Sequence, residues 1–159
     1  MNYYFVSLLA LTTLYALWAG GGPERAGAAV YALSVAATHL ILATQSVRWM
    51  SIEAGVFTVD VVTFLAFIPI ALRANRFWPL WVTAFLGLGV LGHLARLVGP
   101  DTFWWAYAVV LTIWSYPILA LIALGTFLHR RRLIRYGADS SWMTSSGRSG
   151  RAPPASPTG

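Results

Sequence analysis

The sequence predicts an all-α protein that crosses a membrane about five times. Of its 159 residues, 58% are hydrophobic and only 10% are charged, and the mean hydropathy is +0.66. The apolar residues fall into five long stretches that are separated by short polar breaks. Since a helix needs about 20 mostly apolar residues to cross a hydrocarbon core, an integral membrane helical bundle is expected.

The five stretches define a predicted transmembrane domain, residues 1–136. They cover residues 3–20, 27–47, 54–72, 77–97 and 102–128. The breaks between them are short, so consecutive helices are expected to run antiparallel. From residue 137 to residue 159 the composition changes to Ser, Gly, Pro, Thr and Arg. Such a segment buries too little apolar surface to offset the entropy of ordering, and a disordered cytoplasmic tail is predicted.

Arginines predict the orientation, because cytoplasmic segments of membrane proteins carry an excess of basic residues. Four arginines follow the fifth stretch directly: Arg130, Arg131, Arg132 and Arg135. If they are cytoplasmic, the inner breaks carry Arg25, Arg73 and Arg76, whereas the outer ones carry Arg48 and Arg96. The N-terminus is therefore predicted outside, and the four arginines are expected to contact anionic lipid headgroups rather than nucleic acid.

Several function classes have no support in the sequence. The chain contains no cysteine, which excludes disulfides, cysteine-ligated zinc and iron–sulfur clusters. It lacks the H-E-x-x-H, G-x-S-x-G, P-loop and G-x-G-x-x-G motifs that indicate common enzymes and nucleotide-binding proteins. A protein without catalytic activity and without a metal site is therefore expected.

Ionisable residues within the predicted spans indicate where a ligand could bind, because charges in a membrane are costly. Asp60 falls about 9 Å inside the outer end of the third stretch at 1.5 Å per residue. His93 lies a similar distance inside the outer end of the fourth stretch, and His39 lies nearer the middle of the second. The capping residues of the same outer side are Arg48, Glu53, Arg96 and Asp101, whereas the inner half of the spans is nearly all apolar. The candidate pocket residues are His39, Asp60, His93, Arg96, Arg48 and Glu53.

Three interpretations of this polar half stay open. A pocket for a small ligand or proton would use Asp60 as an anion balanced by Arg96 or Arg48, with the histidines as proton carriers or ligands. A structural role would use the same groups to hold helices in register. The third interpretation is a b-type haem with His39 and His93 as axial ligands, although no cofactor is the primary expectation.

Two further residues carry expectations about the fifth stretch. Pro117 falls in its middle, where the missing N–H usually bends a helix. His129 follows the stretch directly and adjoins the four arginines, so an interfacial contact with lipid headgroups is expected.

Three short strings resemble those of a group of small, uncharacterised, multi-spanning bacterial inner-membrane proteins. They occupy residues 76–81 (RFWPLW), 93–97 (HLARL) and 114–117 (WSYP), and the resemblance covers about residues 1–130. It implies a multi-pass protein of the inner membrane and no particular mechanism. Since the chain has no catalytic motif, the first function expected is an accessory or assembly subunit of a larger membrane complex, which binds a membrane-protein partner or a second copy of itself.

Overall fold

The computed structural model describes residues 3–44, 52–98 and 113–143, with the side chains of residues 44, 52, 53 and 96–98 outside the description. Over these ranges the chain forms five α-helices, which confirms the all-α class. They are α1 (Tyr3–Ala19), α2 (Gly22–Thr44), α3 (Ile52–Arg73), α4 (Trp78–Val98) and α5 (Ser115–Tyr136).

Three of the described helices are long and apolar enough to cross a membrane. The qualifying segments are Gly22–Ala43, Ala54–Arg73 and Trp78–Ala95. Two helices are not among these candidates. Helix α1 is apolar but has only 17 residues, and α5 includes the four clustered arginines. The chain is therefore a helical bundle with three candidate membrane helices among its described residues, and the number of crossings and their direction remain predictions.

The helices form a closed arrangement in which α2 touches three neighbours. α1 packs against α2 and α5, α3 packs between α2 and α4, and α4 and α2 both contact α5. Phe5, Thr12 and Ala16 are the buried residues of α1, and their spacing places them on one face of the helix. The core between the helices includes Phe67 and Ile122, both fully buried.

Two helices begin where the sequence did not predict. α2 starts at Gly22, five residues before the predicted start, because Pro23 suits the first turn of a helix and Glu24 is favourable near its N-terminus. The described part of α5 starts at Ser115, so Pro117 lies in a first turn, where no N–H is needed. The predicted bend of the fifth span at Pro117 stays a prediction, because Ile113, just before this helix, is also helical. Residues 102–112 of the predicted fifth span lie outside the described residues.

The C-terminal end of α5 is followed by a segment that folds back onto the bundle. Gly137 has φ 71° and its N–H donates to the carbonyl of Leu133, which is the left-handed helix ending that glycine favours. The N–H of Asn75 then donates to the carbonyl of Ser141 at 3.2 Å, and the N–H of Met143 donates to the carbonyl of Arg73 at 2.8 Å. We call residues 137–143 the strap. The sequence predicted disorder from residue 137, whereas the strap is packed; residues 144–159 lie outside the described residues.

Candidate functional site

A cavity of about 460 Å³ lies within the bundle. All five helices contribute to its wall, through residues near the start of α1, α3 and α5, the end of α2 and the middle of α4. This volume is within the range of about 300–1,000 Å³ that is usual for small-molecule sites. Polar and aromatic residues of the lining include Tyr31, Ser34, Thr38, His39, Asp60, Thr63, Phe85 and Trp114.

Asp60 is the carboxylate of the cavity wall, and it is paired with a histidine from the next helix. Its Oδ2 lies 2.9 Å from Nε2 of His93. The His93 side chain is buried, whereas the Asp60 side chain is 30% exposed. His93 also lies against the ring of Phe57, with the two centroids 5.4 Å apart. The pair thus joins α3 to α4 and leaves the carboxylate accessible from the cavity.

His39 lines the same cavity from α2. Its Nδ1 lies 3.1 Å from the carbonyl oxygen of Val35. Because a carbonyl only accepts hydrogen bonds, Nδ1 carries a proton, and in the neutral form of the ring Nε2 is an acceptor.

Two hydroxyl groups on the cavity wall donate within their own helices, and a third links two helices. Ser34 donates to the carbonyl of Tyr31 at 2.8 Å, and Thr63 donates to that of Val59 at 2.7 Å. The phenol of Tyr31 donates to the carbonyl of Ser115 at 3.5 Å, a long bond that links α2 to the start of α5.

Trp114 brings a different group to the wall. Its indole stacks on Phe85, with centroids 4.8 Å apart and an interplanar angle of 24°. Its Nε1 is buried and has no hydrogen-bond partner within the described chain. A buried donor without a partner is costly, so an acceptor within the cavity, from water or a ligand, would stabilise this arrangement.

The residues predicted for the pocket are only partly within the described structure. His39 and Asp60 line one cavity, and His93 reaches it through Asp60. Arg48 lies outside the described residues, and so do the side chains of Glu53 and Arg96. The predicted balance of Asp60 by Arg96 or Arg48 therefore stays a prediction.

The donor set does not fit a haem held by both histidines. Nε2 of His93 is engaged with Asp60, and His93 is absent from the cavity wall to which His39 belongs. Axial ligation by both rings would require His93 to give up its carboxylate. Among the residues that the structure describes, no group of three or more His, Asp or Glu side chains is placed to hold a metal ion.

A second polar cluster lies at the opposite end of the bundle, which we call the loop end because the α1–α2 turn, the α3–α4 loop and the strap meet there. Its members are Glu24, Arg76, His129 and Asp139, with Arg132 at its edge. Glu24 is fully buried, Arg76 is 7% exposed and His129 is 6% exposed. The expectation that His129 contacts lipid headgroups is wrong, because its side chain is buried within this cluster.

Arg76 holds the loop-end cluster together. It donates from NH2 to Oδ2 of Asp139 in the strap and from NH1 to the carbonyl of Asn75. Its Nε lies 3.4 Å from Oε1 of Glu24, an ion pair whose geometry does not form a hydrogen bond. With Arg132 at 3.7 Å from Asp139, two carboxylates face two guanidinium groups and their charges balance.

His129 completes this cluster as a donor. Its Nδ1 lies 2.7 Å from Oδ2 of Asp139 and 3.2 Å from NH2 of Arg76. Arginine only donates and a carboxylate only accepts, so the shorter contact assigns the Nδ1 proton to Asp139. His129 and Arg76 therefore both donate to the same oxygen, and the strap is attached to α5 and to the α3–α4 loop at one atom.

Trp78 connects the loop-end cluster to the core. Its Nε1 donates to Oε1 of Glu24 at 3.1 Å, and Glu24 also accepts from the N–H of Gly21 at 3.1 Å. The indole lies between two glycines, because a Cβ on Gly27 would be 2.7 Å from the ring and one on Gly125 only 2.5 Å from it. The two glycines make the slot that this side chain requires.

The four arginines expected at lipid headgroups have different surroundings. Arg130 lies over the ring of Trp18, 4.9 Å from its centroid, and Arg132 faces Asp139. Arg131 and Arg135 are exposed. Exposed arginine next to exposed tryptophan suits a membrane interface, and contact with anionic lipid stays a prediction.

Comparison with known proteins adds no relative. No protein-family model matches the chain, and neither a curated protein nor a solved structure is similar to it.

Proposed function

We propose that this protein is a membrane protein that binds a small molecule in the cavity between its helices. The observation that carries the proposal is the accessible Asp60 carboxylate in a largely apolar cavity of about 460 Å³. A concave, mostly apolar site with a few convergent polar groups is the usual form of a ligand site. The charged group is costly within a membrane helix unless it has a partner or a function.

Binding without catalysis is the form of the proposal that the sequence supports. The chain carries none of the catalytic motifs sought above, and Asp60 is paired with His93 rather than with a nucleophile. Transport of the ligand or of a proton through the same pair would be an extension of binding. A complete transporter usually forms its site between two structural repeats, so transport is expected to require an oligomer.

The accessory-subunit prediction is a second candidate function. Exposed apolar side chains on α1, such as Leu11, Leu14 and Trp18, suit a partner helix as well as lipid. A stoichiometric protein partner that copurifies in mild detergent would support it.

Filling the cavity tests the proposal. Val56 lines the cavity, and Val62, on the same helix, is 59% exposed and lies outside the cavity wall. Val56→Trp and Val62→Trp therefore make the same chemical change inside and outside the site. The full chain and both variants are purified from the native host in mild detergent, and the small molecules that copurify are measured by mass spectrometry.

The expected result is a compound that accompanies the wild-type protein and Val62→Trp but is lost from Val56→Trp. The same small molecules in all three preparations, or none above the detergent background, would contradict binding in this cavity. Unfolding temperatures of the three proteins show whether a loss reflects the site or the fold.

A further inference from the structure

The polar atoms around the cavity accept hydrogen bonds more than they donate them. The hydrogens of Ser34, Thr63 and His39 Nδ1 are committed to backbone carbonyls of their own helices. When His39 is neutral, these side chains therefore offer only lone pairs to a ligand: the hydroxyl oxygens and Nε2 of His39. The donors that remain on the described wall are Trp114 Nε1 and the hydroxyls of Thr38 and Tyr116.

The charge of the cavity wall also favours a ligand that donates hydrogen bonds. Among the cavity-lining residues that the structure describes, Asp60 is the one with a formal charge when His39 is neutral, and no arginine belongs to that wall. The chain contains no lysine. Asp60 uses Oδ2 for His93, and within the described chain Oδ1 makes no hydrogen bond. A carboxylate in a low-dielectric site attracts a cation strongly.

The rest of the wall is suited to an organic body rather than a bare metal ion. Aromatic side chains surround the cavity, namely Phe5, Tyr31, Phe85, Trp114 and Tyr116. Aromatic faces attract cations, and ammonium groups bound by aromatic side chains are a common use of this effect. A bare Mg²⁺ or Ca²⁺ ion would need about six oxygen ligands converging on one point, whereas the carboxylate contribution here is Asp60 alone.

We propose that the ligand of this cavity is a small organic cation, with an ammonium group bound by Asp60 and an apolar body against the aromatic wall. This inference rests on the proposed function and specifies its ligand class. The two remaining N–H groups of a primary ammonium have acceptors available on His39, Ser34 and Thr63. Trp114 Nε1 donates to one acceptor on the ligand body or to a water beside it.

Two sets of probes that differ only in charge test the ligand class. Phenethylammonium, 2-phenylethanol and phenylacetate share one body; hexylammonium, hexanol and hexanoate share another. Binding of each probe to the full chain in mild detergent is measured by calorimetry, with Asp60→Asn as the variant and Val56→Trp, which fills the cavity, as the control for non-specific partition into the micelle. The comparison of probes on the wild-type protein needs no variant to fold.

The ammonium member of at least one set is expected to bind about tenfold to a hundredfold more tightly than its alcohol, as a hydrogen bond to a charged group implies. Asp60→Asn should remove this preference and leave alcohol binding unchanged. Equal binding of ammonium and alcohol, or tighter binding of the carboxylate, would overturn the cation inference while leaving small-molecule binding intact. If no ammonium probe binds, the cation inference fails; if, in addition, Val56→Trp loses no copurifying compound, the proposed function fails with it.

Discussion

The indole N–H of Trp78 donates to a carboxylate oxygen of Glu24 across 3.1 Å, where neither side chain meets solvent to any extent. The bond joins the first residue of α4 to the first turn of α2. It also links the aromatic core to the ion pairs of Arg76, since Oε1 of Glu24 faces both groups. Four experiments follow from this loop end and from the cavity.

Trp78→Phe is expected to lower the free energy of unfolding by about 1–3 kcal/mol, because it leaves a buried carboxylate without one of its donors. Trp81→Phe makes the same change on a side chain that is 47% exposed and is expected to have little effect. Chemical unfolding of both variants in the same detergent measures the difference. Equal losses at the two positions would show that the bond to Glu24 contributes nothing.

Gly125→Ala is expected to destabilise the protein by about 1–3 kcal/mol, the usual result of overpacking a core. The new Cβ would lie 2.5 Å from Cδ1 and Nε1 of Trp78, a rigid ring that is held by Glu24. Gly87→Ala is the matched control, because its Cβ would meet the edge of Phe64 at 3.2 Å. The ratio of the two losses, measured by thermal unfolding, should clearly exceed one; a ratio near one would mean that the Trp78 slot tolerates a methyl group.

Truncations test the strap. A chain that ends at residue 136 loses Asp139 and leaves Arg76 buried with less negative charge, which costs about 3–5 kcal/mol when a buried pair is broken. A chain that ends at residue 143 keeps every strap contact described above and is expected to match the full chain. Unfolding temperatures of the three proteins give the comparison. If the chain that ends at residue 136 is as stable as the full chain, the strap does not stabilise the bundle.

The absorption spectrum of the protein from haem-replete cells is expected to lack a Soret band. The physical reason is the pairing of His93 with Asp60, which removes one of the two proposed axial ligands. Asp60→Asn weakens that pairing and leaves both imidazoles present, so it tests whether the pairing is what keeps His93 from binding haem. A Soret band in the wild-type protein that disappears in His93→Gln would instead make His93 a ligand.

The sequence predicted the helices well because their signal is local. The first four apolar runs and the described part of the fifth form helices, and short connections at residues 20–21 and 74–77 separate α1 from α2 and α3 from α4. The errors came at helix ends, where Pro23 and Glu24 were assigned to a polar break although both favour a helical first turn.

The two polar sites differ in the same way: one could be predicted from local sequence, and the other depends on distant partners. The position of Asp60 along its helix placed it in the same half of the bundle as His93, and the structure brings the two within 2.9 Å. The burial of Glu24 and Arg76 depends on partners that are far away in sequence, such as Asp139 and His129. Polar residues in a short break are normally solvated, so no local pattern distinguishes these two from ordinary loop charges.

The strap also sets an order of events during synthesis. Asp139 follows Arg76 by 63 residues, and at about 5–20 residues per second the ribosome needs roughly 3–13 s to make that interval. Throughout this time Arg76 can pair with Glu24 but not with the second carboxylate, Asp139. The loop end is therefore completed only after all five helices have been made, and a nascent chain stalled before residue 139 should expose Arg76 to water or to reagents that modify arginine.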